Sequence, residues 1–101
     1  MIEQKLLHLL GLAYRARKVC LGVPAIIEQV QKRQVYYVII ATDVQKNSKK
    51  KLIDKCKTYH VPYIEMSSRQ LLGHAVGKRE RVAIALLDEG FARKFHSLIE
   101  N

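Results

Sequence analysis

The sequence is poor in the residues that mark secreted, metal-binding and disordered proteins. It has two cysteines, Cys20 and Cys56, two prolines and five glycines in 101 residues. The cysteines form no CxxC pair, so they indicate neither a disulfide framework nor a zinc site. Hydrophobic residues make up 49% of the chain, which excludes the composition of a disordered protein. We therefore expect a globular protein whose cysteines are reduced core thiols.

Acidic residues are also scarce, because nine Asp and Glu oppose 18 Lys and Arg and leave a formal net charge of +9. A polyanionic partner explains this excess best, since each phosphate neutralised by Lys or Arg releases condensed counterions. The alternative is a solvated basic surface that serves solubility. No run approaches the ~20 apolar residues of a membrane span, and Met1–Lys5 opens no apolar core for secretion. We expect a cytoplasmic protein that does not bind membranes.

Apolar periodicity predicts helices that alternate with short strands. Helical spacing of apolar residues starts at Gln4 and ends at Ala16. Two uninterrupted runs of β-branched, aromatic and small apolar residues, Val35–Ala41 and Val82–Leu87, indicate strands covered on both faces. Val19–Leu21 and Pro62–Met66 are typical of brief strands, the second of them peripheral. The order α-β-α-β-α-β-α-β-α predicts one α/β domain over residues 1–101, a three-layer α/β/α sandwich with a four-stranded mixed sheet.

Polar residues before the helices predict where those helices begin. Asn47 or Ser48 is expected to cap the third helix. Ser67, followed three residues later by Gln70, predicts a capping box for the fourth helix. Gly73 lies inside that helix and is expected to weaken it.

Basic residues cluster at the ends of the predicted elements. Loops that follow parallel strands gather at one rim of an α/β sheet, and a loop before an antiparallel strand reaches the same rim. Two of the three clusters should therefore meet beside the turn at Gly22. The clusters are Arg15, Arg17 and Lys18 before the first strand, Lys46 and Lys49–Lys51 after the second, and Lys78, Arg79 and Arg81 before the last.

No constellation of residues indicates catalysis or metal binding. Cys56 and His60 lie four residues apart, but no second pair with ligand spacing accompanies them. Gly73, Gly77 and Lys78 partly resemble a phosphate-binding loop, yet the GxxxxGK[ST] pattern is absent. We predict no enzyme, no catalytic residue, no metal site and no cofactor.

Four stretches occur in a specific order: Gly22 at the start of the second helix, then Val38–Asp43, Val61–Tyr63 and Ser68–Gly77. Together they resemble the kink-turn-binding ribosomal protein family, that of the archaeal large-subunit protein L7Ae, over roughly Leu10 to Gly90. Gly11–Val19 is similar more narrowly to its bacterial YlxQ-type branch. The resemblance implies an α/β/α fold that binds sharply bent RNA and reads sheared G·A pairs from the start of the second helix.

The second helix departs from the family pattern that the resemblance implies. Pro24, Ala25 and Glu28 stand where Asn, Glu and Lys would contact guanines and phosphate. Pro24 and Ala25 offer no side-chain donor or acceptor, and Glu28 has the wrong sign for a phosphate. Arg69 stands where a basic residue is typical, and Gln45 occupies the polar position after Asp43. These departures predict an RNA contact that depends more on charge and less on the RNA sequence.

The predicted function is that of a monomeric, ribosomal-type RNA-binding protein that recognises kinked or otherwise structured RNA, such as ribosomal RNA or an mRNA leader, through one basic rim. One alternative is a protein-interaction module of the translation or transcription machinery with a degenerate RNA site. The interaction module predicts an apolar patch at the Gly22 rim, whereas an RNA-binding protein predicts a positively charged patch there. Another is an RNA-modifying enzyme or its subunit, which predicts a deep cleft with paired titratable groups. The predicted RNA-binding residues are Lys18, Gly22, Val23, Pro24, Lys32, Gln45, Arg69, Lys78, Arg79 and Arg81.

Overall fold

Helices and strands alternate along the chain in the predicted order. The computed structural model describes residues 2–100, so the first and last residues of the predicted domain lie outside the described part. The elements are α1 (Ile2–Arg15), β1 (Val19–Leu21), α2 (Val23–Gln31), β2 (Tyr37–Ile40), α3 (Lys46–Thr58), β3 (Tyr63–Glu65), α4 (Arg69–Ala75), β4 (Ala83–Leu86) and α5 (Glu89–Glu100).

The four strands form a mixed sheet in the order β1-β4-β2-β3. β4 is antiparallel to both β1 and β2, whereas β2 and β3 are parallel. Every residue of β2 and β4 is buried, and these two strands lie in the middle of the sheet. The prediction from their uninterrupted apolar runs is therefore confirmed.

Helices cover both faces of this sheet. On one face, Ile39, Ile84 and Leu86 pack in the same cluster as buried side chains of α1, α4 and α5, such as Leu10 and Phe95. On the other face, Val38, Ile40 and Ala85 pack with side chains of α2 and α3. Full burial of a large apolar side chain contributes about 1.5–3 kcal/mol. These two clusters hold the predicted three-layer α/β/α sandwich together.

Two predicted helix caps are wrong. α3 begins at Lys46 after Gln45, which makes no side-chain cap bond, so Asn47 and Ser48 lie inside the first turn. α4 is capped by Ser68, whose Oγ accepts a hydrogen bond of 3.1 Å from the Leu71 N–H. Ser67 instead adopts a left-handed φ of 65° and donates its hydroxyl to Glu3 of α1. That tertiary contact removes Ser67 from the capping position.

The first four helices end in the same left-handed turn. Arg17, Arg33, His60 and Gly77 have φ values of 60°, 58°, 57° and 70°. The next amide then reaches back into the helix, as when Lys18 N–H bonds the Ala13 carbonyl at 2.9 Å. This is the Schellman arrangement, in which glycine is the favoured residue because it has no Cβ. Three of the four turns hold a larger residue at that position.

Gly73 lies on the face of α4 against which the following loop packs. A Cβ at this position would lie 2.6 Å from the Arg79 carbonyl oxygen and 2.7 Å from Glu80 Cα. The loop is also held by hydrogen bonds from Lys78 N–H to the Gly73 carbonyl (2.8 Å) and from Arg81 N–H to the Arg69 carbonyl (3.0 Å). At Gly73 the backbone of α4 therefore contacts the backbone of the following loop. This contact comes in addition to any weakening of the helix by glycine.

Replacement of Gly73 by Ala should destabilise the fold by about 1–3 kcal/mol, the usual cost of overpacking. The clash is with backbone, which cannot move aside as a flexible side chain can. Urea denaturation followed by circular dichroism measures the change. Gly90→Ala in the first turn of α5 is the control, because its Cβ would meet only the Asp88 carboxylate, at 3.1 Å. Equal stability of Gly73→Ala and the parent would contradict the packing argument.

Candidate nucleic-acid interface

Four loops meet at one end of the sheet. Leu21 pairs with Ile84, Ile40 pairs with Ala83, and Ile40 also pairs with Glu65. The carboxyl ends of β1, β2 and β3 therefore lie beside the amino end of β4. We call this end the loop rim, formed by Gly22 and the segments 41–45, 66–68 and 76–82. The basic clusters that follow β2 and precede β4 converge here.

The opposite end of the sheet, which we call the far rim, holds two of the predicted contacts. Leu87 N–H bonds the Lys18 carbonyl at 2.8 Å, which places Lys18 at the start of β1. Lys32 follows the last turn of α2, and its Nζ lies 3.7 Å from a carboxylate oxygen of Glu28. The other predicted residues belong to the loop rim or to the first turns of helices that begin there. They are Gly22, Val23, Pro24, Gln45, Arg69, Lys78, Arg79 and Arg81.

Helices α2, α3 and α4 all begin at the loop rim. Gly22 precedes α2 with φ 92° and ψ 134°, a conformation that only glycine adopts easily. Apart from its two chain neighbours, no residue within 2–100 has an atom less than 4 Å from a Cβ built on it, so its backbone is open to a ligand. The first amides of a helix have no partner inside it, and the positive end of the helix dipole lies there. The geometry therefore favours anions at this rim.

Hydrogen bonds fix the loops of the rim to one another. The Thr42 N–H and Oγ1 both bond the Ser67 carbonyl, at 2.9 and 2.8 Å. Asp43 Oδ1 accepts the Arg69 N–H at 2.8 Å, and Asp43 Oδ2 lies 3.6 Å from Arg69 Nε. The backbone N–H of Arg69 is the main cause that lowers the pKa of Asp43, and its guanidinium adds to the effect. Arg69 also lies 3.9 Å from Glu80, so it positions the loops as well as carrying charge.

Other basic residues in or beside the rim have no carboxylate partner. Lys78, Arg79 and Arg81 of the loop rim, and Lys46 in the first turn of α3, form no ion pair with any carboxylate among residues 2–100. Lys78 and Arg79 are exposed, and Arg81 is half-buried. Lys49 differs, because its Nζ lies 2.9 Å from Glu65. Arg81 Nη1 donates a hydrogen bond of 2.7 Å to the Glu80 carbonyl, but no carboxylate within residues 2–100 neutralises these four cations, so their charge is available to external anions.

A cleft of about 510 Å³ lies between α4 and the loop that follows it. Arg79, Glu80 and Arg81 line one side, and Gln70 and His74 line the other. Sequence reasoning missed Gln70 and His74 as candidate contacts. Their spacing of four residues places them on one face of α4, but only the loop folded back over Gly73 brings them to the arginines.

Neither cysteine is suited to act as a nucleophile. Burial raises the pKa of Cys56 to about 11. Burial, with a smaller contribution from Glu28, also raises the pKa of Cys20. Within residues 2–100 no three His, Cys, Asp or Glu side chains group closely enough to hold a metal ion. In the same range, no helix has the length and apolar character needed to span a membrane.

The sequence matches the model of the Ribosomal protein L7Ae/L30e/S12e/Gadd45 family over residues 4–96. The chain belongs to this family. It is 44% identical over 92 residues to the RNA-binding protein YlxQ of Bacillus subtilis, covering 91% of this chain and 92% of that one. Family membership, predicted from the four ordered stretches and the Gly11–Val19 segment, is thus confirmed.

Solved structures of other proteins share the fold. A Bacillus halodurans C protein of unknown function is 46% identical and superposes with a TM-score of 0.92, over 96% of this chain and 98% of that one. The Giardia lamblia 15.5kD RNA binding protein gives a TM-score of 0.83 at 19% identity, over 98% and 85% of the two chains. The similarity to the Giardia lamblia protein concerns the fold alone, which the two chains share despite their low sequence identity.

Replacement of Asp43 by Ala should lower the Tm at neutral pH, because it removes the acceptor of the Arg69 N–H. The folded-state pKa of Asp43 lies below its ordinary value of 3.8. Its contribution is therefore present above that value and is lost as the pH falls through the lower folded-state pKa. The Tm difference between parent and variant should shrink in acid, as measured by thermal melts from pH 7 to pH 2.

Asp54→Ala is the matched control, since Asp54 is exposed on α3 and its carboxylate has no ion-pair partner within residues 2–100. It should change the Tm little at any pH. A Tm difference for Asp43→Ala that stayed constant across the pH range would refute the assigned role of its carboxylate.

Proposed function

We propose that this chain binds kinked or otherwise structured RNA, such as ribosomal RNA or an mRNA leader, through the loop rim. It does so as a single, monomeric, ribosomal-type RNA-binding domain in the cytoplasm, without catalysis and without a cofactor. One observation carries the proposal: Lys78, Arg79 and Arg81, unpaired with any carboxylate among residues 2–100, lie on the rim where α2 and α3 begin. The relative named RNA-binding protein YlxQ supports the choice of RNA over DNA.

Helix direction distinguishes the two rims electrostatically. At the loop rim, the positive dipole ends of α2 and α3 add to the unpaired cations. At the far rim, α1, α2 and α3 present their carbonyl ends, and Asp88 and Glu89 add negative charge at the start of α5. The helix ends therefore favour a phosphate at the loop rim, whereas at the far rim they oppose the positive charge of Arg17 and Lys18.

The apolar patch expected of an interaction module does not lie on the loop rim. Among the described residues, the exposed large apolar side chains are Ile2, Leu12, Tyr36 and Leu71. None of them belongs to Gly22 or to the segments 41–45, 66–68 and 76–82. The surface of the loop rim is polar and basic, which favours a polyanionic ligand over an apolar protein surface.

The contacts at α2 favour phosphate over base edges. Pro24 and Ala25 are exposed at the start of the helix but carry no hydrogen-bonding side chain. Glu28 is paired with Lys32, one turn further on. Phosphate contacts fix position and carry no sequence information. We infer recognition by charge and by shape at the open backbone of Gly22.

RNA affinity should fall steeply with salt. About four to six phosphate contacts correspond to a slope of roughly −3 to −5 in a plot of log K against log salt concentration. Replacing Lys78, Arg79 and Arg81 by Ala should reduce the magnitude of that slope by roughly 2 to 3 and weaken kinked and straight RNA alike. Fluorescence anisotropy with labelled RNA at several salt concentrations measures both effects.

The control removes three charges elsewhere, by Lys5→Ala, Lys57→Ala and Lys94→Ala. These lysines are exposed on α1, α3 and α5, away from the loop rim. This variant should keep the salt slope of the parent. If both triple variants lost affinity equally, net charge rather than the loop rim would account for binding, and the proposal would fail.

Restoring the family pattern in α2 should add direct readout. Pro24→Asn, Ala25→Glu and Glu28→Lys together should tighten binding to a kink-turn RNA by about tenfold or more and leave a straight RNA of equal length less affected. Glu28→Lys alone makes the same change of charge at that position and should tighten both RNAs to a similar extent. Titrations at fixed salt compare the two. No gain in selectivity from the triple change would exclude α2 as the surface that faces the kink.

A further inference from the structure

A groove of about 430 Å³ runs beside β1, outside the loops that form the rim. It is lined by Tyr14 and Arg15 of α1, by Arg17 of the following turn, and by Val19 and Leu21 of β1. We call it the edge groove, because β1 is the outermost strand on this side of the sheet. None of its lining residues contributes to the loop rim.

The edge groove is continuous with the loop rim. Leu21, at one end of the groove, directly precedes Gly22. Lys78 of the basic loop contacts Tyr14, which lines the groove, with its Nζ 5.7 Å from the centre of the Tyr14 ring. A ligand that leaves the rim past Lys78 therefore meets Tyr14 next and the two arginines after it.

The groove carries positive charge without local compensation. Arg15 and Arg17 are exposed, and neither forms an ion pair with a carboxylate among residues 2–100. Arg17 is held at φ 60° by the turn that ends α1, in which its N–H bonds the Tyr14 carbonyl at 2.9 Å. The turn therefore fixes the backbone of Arg17, from which its guanidinium group extends.

The floor of the groove combines apolar and aromatic surface with these cations. Val19, Leu21 and Tyr14 are partly buried and pack against the α1 side of the core. Guanidinium groups bind phosphates in a bidentate manner, and apolar or aromatic surface accepts the faces of sugars and bases. A three-residue strand spans about 10 Å.

We propose that the edge groove is a second RNA-contact surface, which holds the phosphate backbone of the strand that leaves the element bound at the loop rim. This proposal rests on the proposed function. The RNA footprint then runs from Gly22 past Lys78 and along β1 to Arg17 near the far rim. The unopposed charge of Arg15 and Arg17 favours a nucleic-acid strand over a peptide strand added to the edge of β1.

The test combines Arg15→Ala with Arg17→Gly in the full chain. Glycine suits a φ of 60°, so this variant loses two charges while its Tm should stay the same or rise. Binding is measured by anisotropy on a kinked RNA with two long helical arms and on the same RNA with either arm shortened. We expect affinity for the long-armed RNA to fall about tenfold and the salt slope to shrink by about 1.5 to 2. One shortened RNA should show no such loss.

The control variant, Lys5→Ala with Lys94→Ala, removes the same charge from α1 and α5 outside the edge groove. If the double arginine variant bound the long-armed RNA as well as this control, the edge groove proposal would be overturned, while the effect of the Lys78, Arg79 and Arg81 changes would still uphold the loop rim. If an acidic peptide bound the parent but not the double arginine variant, and both bound RNA equally, the groove would be a peptide site instead. If the parent bound no RNA at all, the proposed function would fail and this inference with it.

Discussion

The antiparallel insertion of β4 between β1 and β2 determines where every loop of the molecule lies. All four residues of β4 are buried, and both of its edges are paired. Because β4 runs against its neighbours, the loop before it reaches the rim where β1, β2 and β3 end. A parallel β4 would carry Lys78, Arg79 and Arg81 to the far rim, away from the starts of α2 and α3. Burial of one apolar strand thus fixes the position of the main basic loop.

Within the loop rim, separate groups hold the loops and carry the free charge. Asp43, Arg69 and Lys49 are committed to bonds between loops and strands. Gly73 holds the basic loop by backbone contact alone and consumes no charge. Because backbone contacts and the Arg69–Glu80 ion pair hold this loop, the charges of Lys78 and Arg79 remain available at the surface. A rigid loop backbone also lowers the conformational entropy that the loop loses when a ligand binds.

Apolar pattern was enough to predict the layers of the fold, but not the details that depend on tertiary contacts. The uninterrupted runs at Val35–Ala41 and Val82–Leu87 predict the two central strands, because such runs can be buried only on both faces. The choice between Ser67 and Ser68 as the cap of α4 depends on a contact with Glu3, which local sequence does not show. The separation of Lys18 and Lys32 from the loop rim depends on strand direction. Whether the ten candidate residues contact RNA stays a prediction.

The residues of α2 and the rigidity of the loop rim both affect how the protein could distinguish one RNA from another. If Pro24 and Ala25 provide no base contacts, the unpaired cations alone would bind any RNA with similar strength, since phosphate contacts carry no sequence information. Discrimination must then come from shape, which requires a surface that does not adapt to the ligand. The hydrogen bonds from Thr42 to Ser67 and from Arg69 to Asp43 join two of the loops, and the Arg69–Glu80 ion pair adds the third. A bent RNA that presents phosphates to the loop rim and to the edge groove together would be favoured over a straight one, because only a matching bend engages both surfaces.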